Sequence, residues 1–196
     1  MFTKMDIRAT LAVCLVVLYG AAMTPAAAAD EVNASEQVAG SRIRLFGKNG
    51  TGMWLYKDKA CYKTSFFKKV GAETVSGSIG QAISSARGKA NNGKQGIPET
   101  KDSKDADSGG YQYYNEFDVN PDKPITILSS FGIGSWSCEG YIAATFTPKA
   151  GKDYEGRLDV NLTTKQCHLI VKEIQPTPEG AVLNPIDDLQ PAFKCD

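Results

Sequence analysis

Alternation of apolar and polar positions dominates the chain from residue 41 onward. Ser41 to Phe46 puts Ile43 and Leu45 on one side and Arg42 and Arg44 on the other, the period of a half-buried strand. Lys48-Asn49-Gly50-Thr51-Gly52 is a turn of residues that tolerate positive φ, and Met53 to Tyr56 resumes the strand pattern. Ala60 to Lys63 continues it past a second turn at Lys57-Asp58-Lys59, so the expectation is an opening hairpin. Further strands are predicted at Tyr113–Val119, Ile125–Ser130, Tyr141–Thr147, Tyr154–Leu162 and Cys167–Ile174. In the first of these Tyr113, Asn115, Phe117 and Val119 share a face, which leaves Glu116 and Asp118 on the opposite, solvated one. Gly132 to Gly134 breaks the strand before it, and Thr163-Thr164-Lys165 is a turn.

Two segments lack this pattern. Residues 71–110 are rich in Gly, Ser, Asn, Lys and Asp; a short helix capped by Ser78 carries Ile79, Ala82, Ile83 and Ala86 on one stripe, and Asn91 to Gly110 is expected to be a long surface loop. At the other end Pro176, Pro178, Pro185 and Pro191 are expected to exclude regular structure from most of the tail. About seven short strands with turns every 8–12 residues make the fold class all-β: an antiparallel β-sandwich with a long mid-chain insertion and a Pro-rich C-terminal tail.

The first 29 residues change the reading of everything after them. Lys4 and Arg8 precede the apolar run Leu11–Tyr19, and Ala27-Ala28-Ala29 follows as a small-residue cleavage site, the three parts of a secretory signal peptide. The run is about half of the roughly 20 residues a spanning helix needs. Cys14 lies inside it, whereas a lipoprotein cysteine follows the apolar region; a lipid anchor is the alternative to simple removal. Residues 30–40 then form a flexible lead-in to a single domain, 41–196. The whole chain has 22 basic and 22 acidic residues; without Lys4, Arg8 and Asp6 it has 20 and 21, a balance that argues against a nucleic-acid partner.

Export makes Cys61, Cys138, Cys167 and Cys195 candidates for two disulfides. Four cysteines allow three pairings and spacing does not choose among them. Cys61–Cys138 with Cys167–Cys195 is the expected set, because the second bridge would tie the tail to a strand. Metal ligation and redox catalysis are disfavoured by the absence of Cys-x-x-Cys and by the position of the one histidine, His168, beside Cys167.

Catalytic patterns are sparse. There is no Gly-x-Ser-x-Gly elbow and no P-loop, and His168 sits in an apolar strand. Residues 105–116 match part of a twelve-residue calcium loop, with Asp105, Asp107 and Glu116 as ligands at positions 1, 3 and 12, but Gly109 replaces the oxygen ligand at position 5. Calcium is thus the one candidate cofactor. Tyr111, Tyr113 and Trp136, with Trp54, Tyr114 and Tyr141, are enough aromatic surface to line a carbohydrate or peptide groove.

The segment Phe146-Thr147-Pro148-Lys149-Ala150-Gly151-Lys152-Asp153-Tyr154-Glu155 runs strand, Pro-x-x-Gly turn, strand opening on Tyr. It resembles small bacterial envelope β-sandwich domains of the PEGA type, over residues 41–62 and 113–174. The resemblance implies a periplasmic or lipid-anchored sandwich and supplies no catalytic residues. Taken together, the expectation is an exported, non-enzymatic protein that binds a protein or envelope component. The alternatives are an immunity or inhibitor protein against a toxin, and a hydrolase acting on the envelope through Glu116, Asp118 or His168.

Overall fold

The computed structural model describes residues 39–65, 69–75, 92–109 and 112–196. The expected signal peptide, most of the expected lead-in, the helix expected from Ser78 and the candidate ligand residue Tyr111 lie outside them. No helix among the described residues is long and apolar enough to cross a membrane.

Two sheets face each other. The first runs, in spatial order, β11 (Gly180–Pro185), β10 (Gln166–Thr177), β9 (Asp153–Asn161), β1 (Ser41–Lys48) and β5 (Gln112–Val119). The second runs β12 (Gln190–Pro191), β8 (Ile142–Phe146), β6 (Ile125–Ile133), β2 (Thr51–Tyr56) and β4 (Glu73–Thr74), with β7 (Trp136–Ser137) folded back on β6. Within these sheets only β1 and β9 pair in parallel. A third pairing joins β13 (Phe193–Lys194) to β3 (Cys61–Tyr62). The core lies between the inner faces, where Ile43, Leu45 and Leu158 of one sheet meet Met53, Leu55 and Ile127 of the other. Each such side chain contributes about 1.5–3 kcal/mol by leaving water. The fold is an all-β sandwich.

The expected opening hairpin is corrected. β1 pairs with β5 and β9, whereas β2 pairs with β6 and β4, so the chain changes sheets at Asn49-Gly50. Alternation identifies a strand with one buried face, but two successive strands satisfy it equally by pairing or by facing each other across a core. Gly50 permits the corner: its φ is 81°, and its carbonyl accepts from the Gly132 N–H of β6.

The outer face of the first sheet is solvated at Asp118 and His168 but covered around Arg44 and Glu116. Arg44 of β1 is 1% exposed, flanked in register by Glu116 of β5 and Glu155 of β9. Its guanidinium donates to Glu116 Oε1 through Nε and Nη2 at 3.0 and 2.7 Å and lies 3.7 Å from Glu155 Oε2. Nη2 and Nη1 also donate to the carbonyls of Ile97 and Pro98 in the insertion. Glu116 Oε2 in turn accepts from the Gln95 and Ile97 N–H groups. The ladder therefore pins residues 92–100 to the sheet and covers Glu116, while Asp118 on the same face is exposed as expected.

The expected long loop contains a helix, α1 (Lys101–Asp107). Thr100 caps it, its side chain accepting from Ser103 N–H while Ser103 Oγ accepts from Thr100 N–H, a reciprocal arrangement. Only Ala106 gives it an apolar contact, in a small cluster with Phe46 and Tyr114. A seven-residue helix held by a cap and tertiary contacts carries no 3.6-residue stripe to be read.

The prolines do not keep the tail irregular. Pro176 and Pro185 lie within β10 and β11, and Pro191 lies in β12; β11 and β12 are sheet edges, where a missing N–H costs no ladder bond. The expected disulfide set is likewise replaced. The bridges are Cys61–Cys195 and Cys138–Cys167. The tail is tied down as expected, but to β3 and not to β10.

Candidate binding surface at one end of the sandwich

Two hairpin tips, one from each sheet, meet at the same end of the sandwich. The β6–β7 hairpin turns through Gly134-Ser135, with positive φ at Gly134, and pairs Ile133 with Trp136. Glycine at the first loop position suits the right-handed twist of the flanking strands. The β9–β10 hairpin turns through Leu162 to Lys165. Asn161 Oδ1 accepts from the Thr163 and Thr164 N–H groups, both at 3.0 Å, which shapes the turn from inside. Lys165 closes it with a φ of 58°.

The Cys138–Cys167 bridge, with Cα atoms 6.0 Å apart, fastens the tips together. The Lys165 ammonium lies 5.0 Å from the centre of the Trp136 ring, a cation–π contact between the sheets. Trp136, Leu162 and Lys165 line one notch above Phe131 and Val160. Beside it opens a cleft of about 340 Å³, bordered by Ser137, Glu139, Ile142, Lys165 and the disulfide. That volume is at the small end of ligand sites. Around it Ile133, Trp136 and Leu162 are 53%, 38% and 51% exposed. The surface thus offers three large apolar groups on stapled turns, one cation, one carboxylate and a shallow cleft. It is equipped for contact.

Of the residues singled out from sequence, Trp136 belongs to this surface, as do Cys138 and Cys167. Tyr113 does not: it is buried, its ring lying across Gly47, where an added Cβ would stand 2.6 Å from it. Trp54 and Tyr141 pack edge to face elsewhere, with Lys69 Nζ 4.0 Å from the centre of the Tyr141 ring and 5.0 Å from that of Trp54. The three candidate calcium ligands are dispersed. Asp105 pairs with Lys101 on α1, and Glu116 is taken up by Arg44. Asp107 accepts from Asn92, Lys94 and Tyr114, and although burial opposes it, these donors hold its carboxyl below the ordinary aspartate range. Among the described residues no cluster of three His, Cys, Asp or Glu side chains could hold a metal ion.

Ile133, Glu139, Leu162 and Lys165 went unmarked in the sequence. The available signal was an apolar residue at or beside each turn, Ile133 between two glycines and Leu162 between Asn161 and Thr163. Comparison with protein-family models, with curated proteins and with solved structures finds no match to this chain.

Proposed function

We propose that this protein is an exported, non-catalytic binding module that holds a protein or envelope component through the stapled end of its sandwich. The carrying observation is the convergence of Ile133, Trp136 and Leu162, each well exposed, on two turns locked by Cys138–Cys167. Exposed large apolar groups on rigid turns are the anchors of recognition surfaces. The leader-like sequence of residues 1–29 and the two disulfides support an oxidising compartment outside the cytoplasm, and for a bacterial chain that is the periplasm. The resemblance to small envelope sandwich domains agrees with this assignment.

The hydrolase alternative loses support from geometry. Glu116 lies under the insertion, fixed by Arg44, while Asp118 and His168 are exposed on different strands. In the sheet register His168 stands four residues from Lys172, which is three strands from Glu116; standard spacings separate His168 and Glu116 by about 20 Å. Affinity capture from periplasmic extract tests the binding reading, with wild type, Trp136→Ala and Leu162→Asp as baits. A specific partner kept by wild type and lost by both variants, with their thermal midpoints unchanged, is expected. Failure of the wild type to retain any specific partner, or equal retention by the variants, overturns it.

A further inference from the structure

The two large sheets have four edges, and three of them are protected. Gly93 covers β5: its N–H donates to Tyr114 O at 3.2 Å and its carbonyl accepts from Glu116 N–H at 2.8 Å. β4 and β12 are two residues long, and β12 contains Pro191. β11 differs. It runs six residues, GAVLNP, with no charged side chain, and among the described residues no strand lies on its outer side. An uncharged edge of this length is a template for another strand.

Register shows which backbone groups that edge presents. β10 and β11 are joined through Pro178-Glu179, with Thr177 opposite Gly180. Bonded and non-bonded pairs alternate along an antiparallel ladder, and Pro176, having no N–H, takes a non-bonded position opposite Ala181. Ile174–Leu183 and Lys172–Pro185 are then non-bonded pairs too. Hence the N–H and C=O of both Ala181 and Leu183 point away from the sheet. The N–H that Pro185 lacks would have pointed the same way.

We propose that β11 pairs with β11 of a second copy of this chain, antiparallel, about a two-fold axis through Val182. In that register Ala181 stands opposite Leu183 of the second copy and Leu183 opposite its Ala181, so the four outward N–H groups of the two strands all bond. The two Val182 residues form the non-bonded pair on the axis, where strands approach closest, and each covers a side chain that is 50% exposed in the single chain. Of the registers shifted by two residues, one sets Ala181 against Pro185; it bonds the same four N–H groups but places each half-exposed Val182 opposite Asn184 instead of the other Val182. The other sets Leu183 against Glu179, outside the strand. One-residue shifts oppose outward groups with inward ones. A ribbon this short buries less than the roughly 1,600 Å² of a standard interface, so association is concentration-dependent. The edge is separate from the stapled end, and both can be occupied together.

Sedimentation of the purified chain with both disulfides intact, from about 10 μM to about 1 mM, the range of weak association, provides the first test. The mass-average is expected to climb toward twice the monomer for wild type and to stay at the monomer for Val182→Lys, which brings two ammonium groups together on the axis. Oxidative cross-linking tests the register. Val182→Cys places the thiols across a non-bonded pair with Cα atoms about 4.5 Å apart, within disulfide reach; Ala181→Cys leaves its copies more than about 7 Å apart, beyond it. A covalent dimer from Val182→Cys and none from Ala181→Cys is the expected result. A wild type that stays monomeric throughout, association unaffected by Val182→Lys, or equal cross-linking of the two cysteine variants overturns the proposal.

Discussion

Arg44 holds its charge where water does not reach, between two carboxylates that are themselves buried. Such a group is tolerated because four of its five N–H groups are hydrogen-bonded, two on Glu116 and two on the Ile97 and Pro98 carbonyls, and Nη1 also lies beside the Glu155 carboxylate. The carboxylates are not equivalent. Glu116 accepts from Arg44 and from two backbone N–H groups, whereas Glu155 accepts from Thr100 Oγ1 at 2.8 Å and has Arg44 only at 3.7 Å. Burial therefore pushes the Glu155 carboxyl above its ordinary value of 4.5, against the pull of Thr100, Arg44 and Lys172. A raised value means that the folded protein keeps a proton the unfolded chain has already lost. The contribution of Glu155 to stability is full below about pH 4.5 and declines as pH rises through the folded value. Glu155→Gln keeps an acceptor for Thr100 and removes the titration. Urea unfolding at pH 4 and pH 7 should show the variant gaining on wild type as pH rises; a difference that does not change with pH means that burial does not strain this carboxylate.

At the scale of elements, α1 depends on the residue that precedes it. Thr100 caps the helix and also bonds Glu155 of β9, so one hydroxyl joins insertion and sheet. Thr100→Ala should cost about 1–2 kcal/mol in chemical denaturation, the usual loss for a cap, and speed amide exchange across Lys101–Asp107 before the strands respond. Unchanged exchange there would show that Asp107, which grips Asn92, Lys94 and Tyr114, suffices to hold the helix. What the sequence displayed of these elements follows from how each is stabilised. β1, β5, β6, β8, β9 and β10 bury one face in the common core, and their alternation is plain. α1 and the edges β11 and β12 are stabilised by a cap, by a neighbouring ladder and by prolines whose missing N–H needs no partner, none of which leaves a period. Arg44 is the sharpest case: a charged residue alternating with Ile43 and Leu45 reads as solvent-facing until residues 92–100 are laid over it. At the stapled end Trp136 and the two cysteines stood out by residue type, whereas Leu162 and Ile133 acquire meaning only when their turns meet.

For the whole molecule, the two bridges have different tasks. Cys61–Cys195 spans 134 residues and holds the tail beside β3, on the side of the second sheet where Tyr56 Oη donates to Lys63 O and Thr126 Oγ1 to Lys59 O. Cys138–Cys167 spans 29 and fixes two tips on opposite sheets. If cross-links act by restricting the unfolded chain, the longer closure contributes about 5 kcal/mol and the shorter about 3.5 kcal/mol. Replacing Cys61 and Cys195 by serine should therefore lower stability more than replacing Cys138 and Cys167. Binding should respond in the reverse order. Loss of the shorter bridge frees the Trp136 and Leu162 turns from each other and gives up the preorganisation that rigid anchors provide. The tail bridge touches neither turn, so its loss should leave affinity for the captured partner nearly unchanged wherever the protein remains folded. Unfolding midpoints and partner affinities for the two double-serine variants, measured after peptide mapping has verified the surviving bridge, would separate stability from recognition. If affinity instead tracks stability in both variants, the stapled end contributes to binding only by being folded, and its rigidity has no separate role.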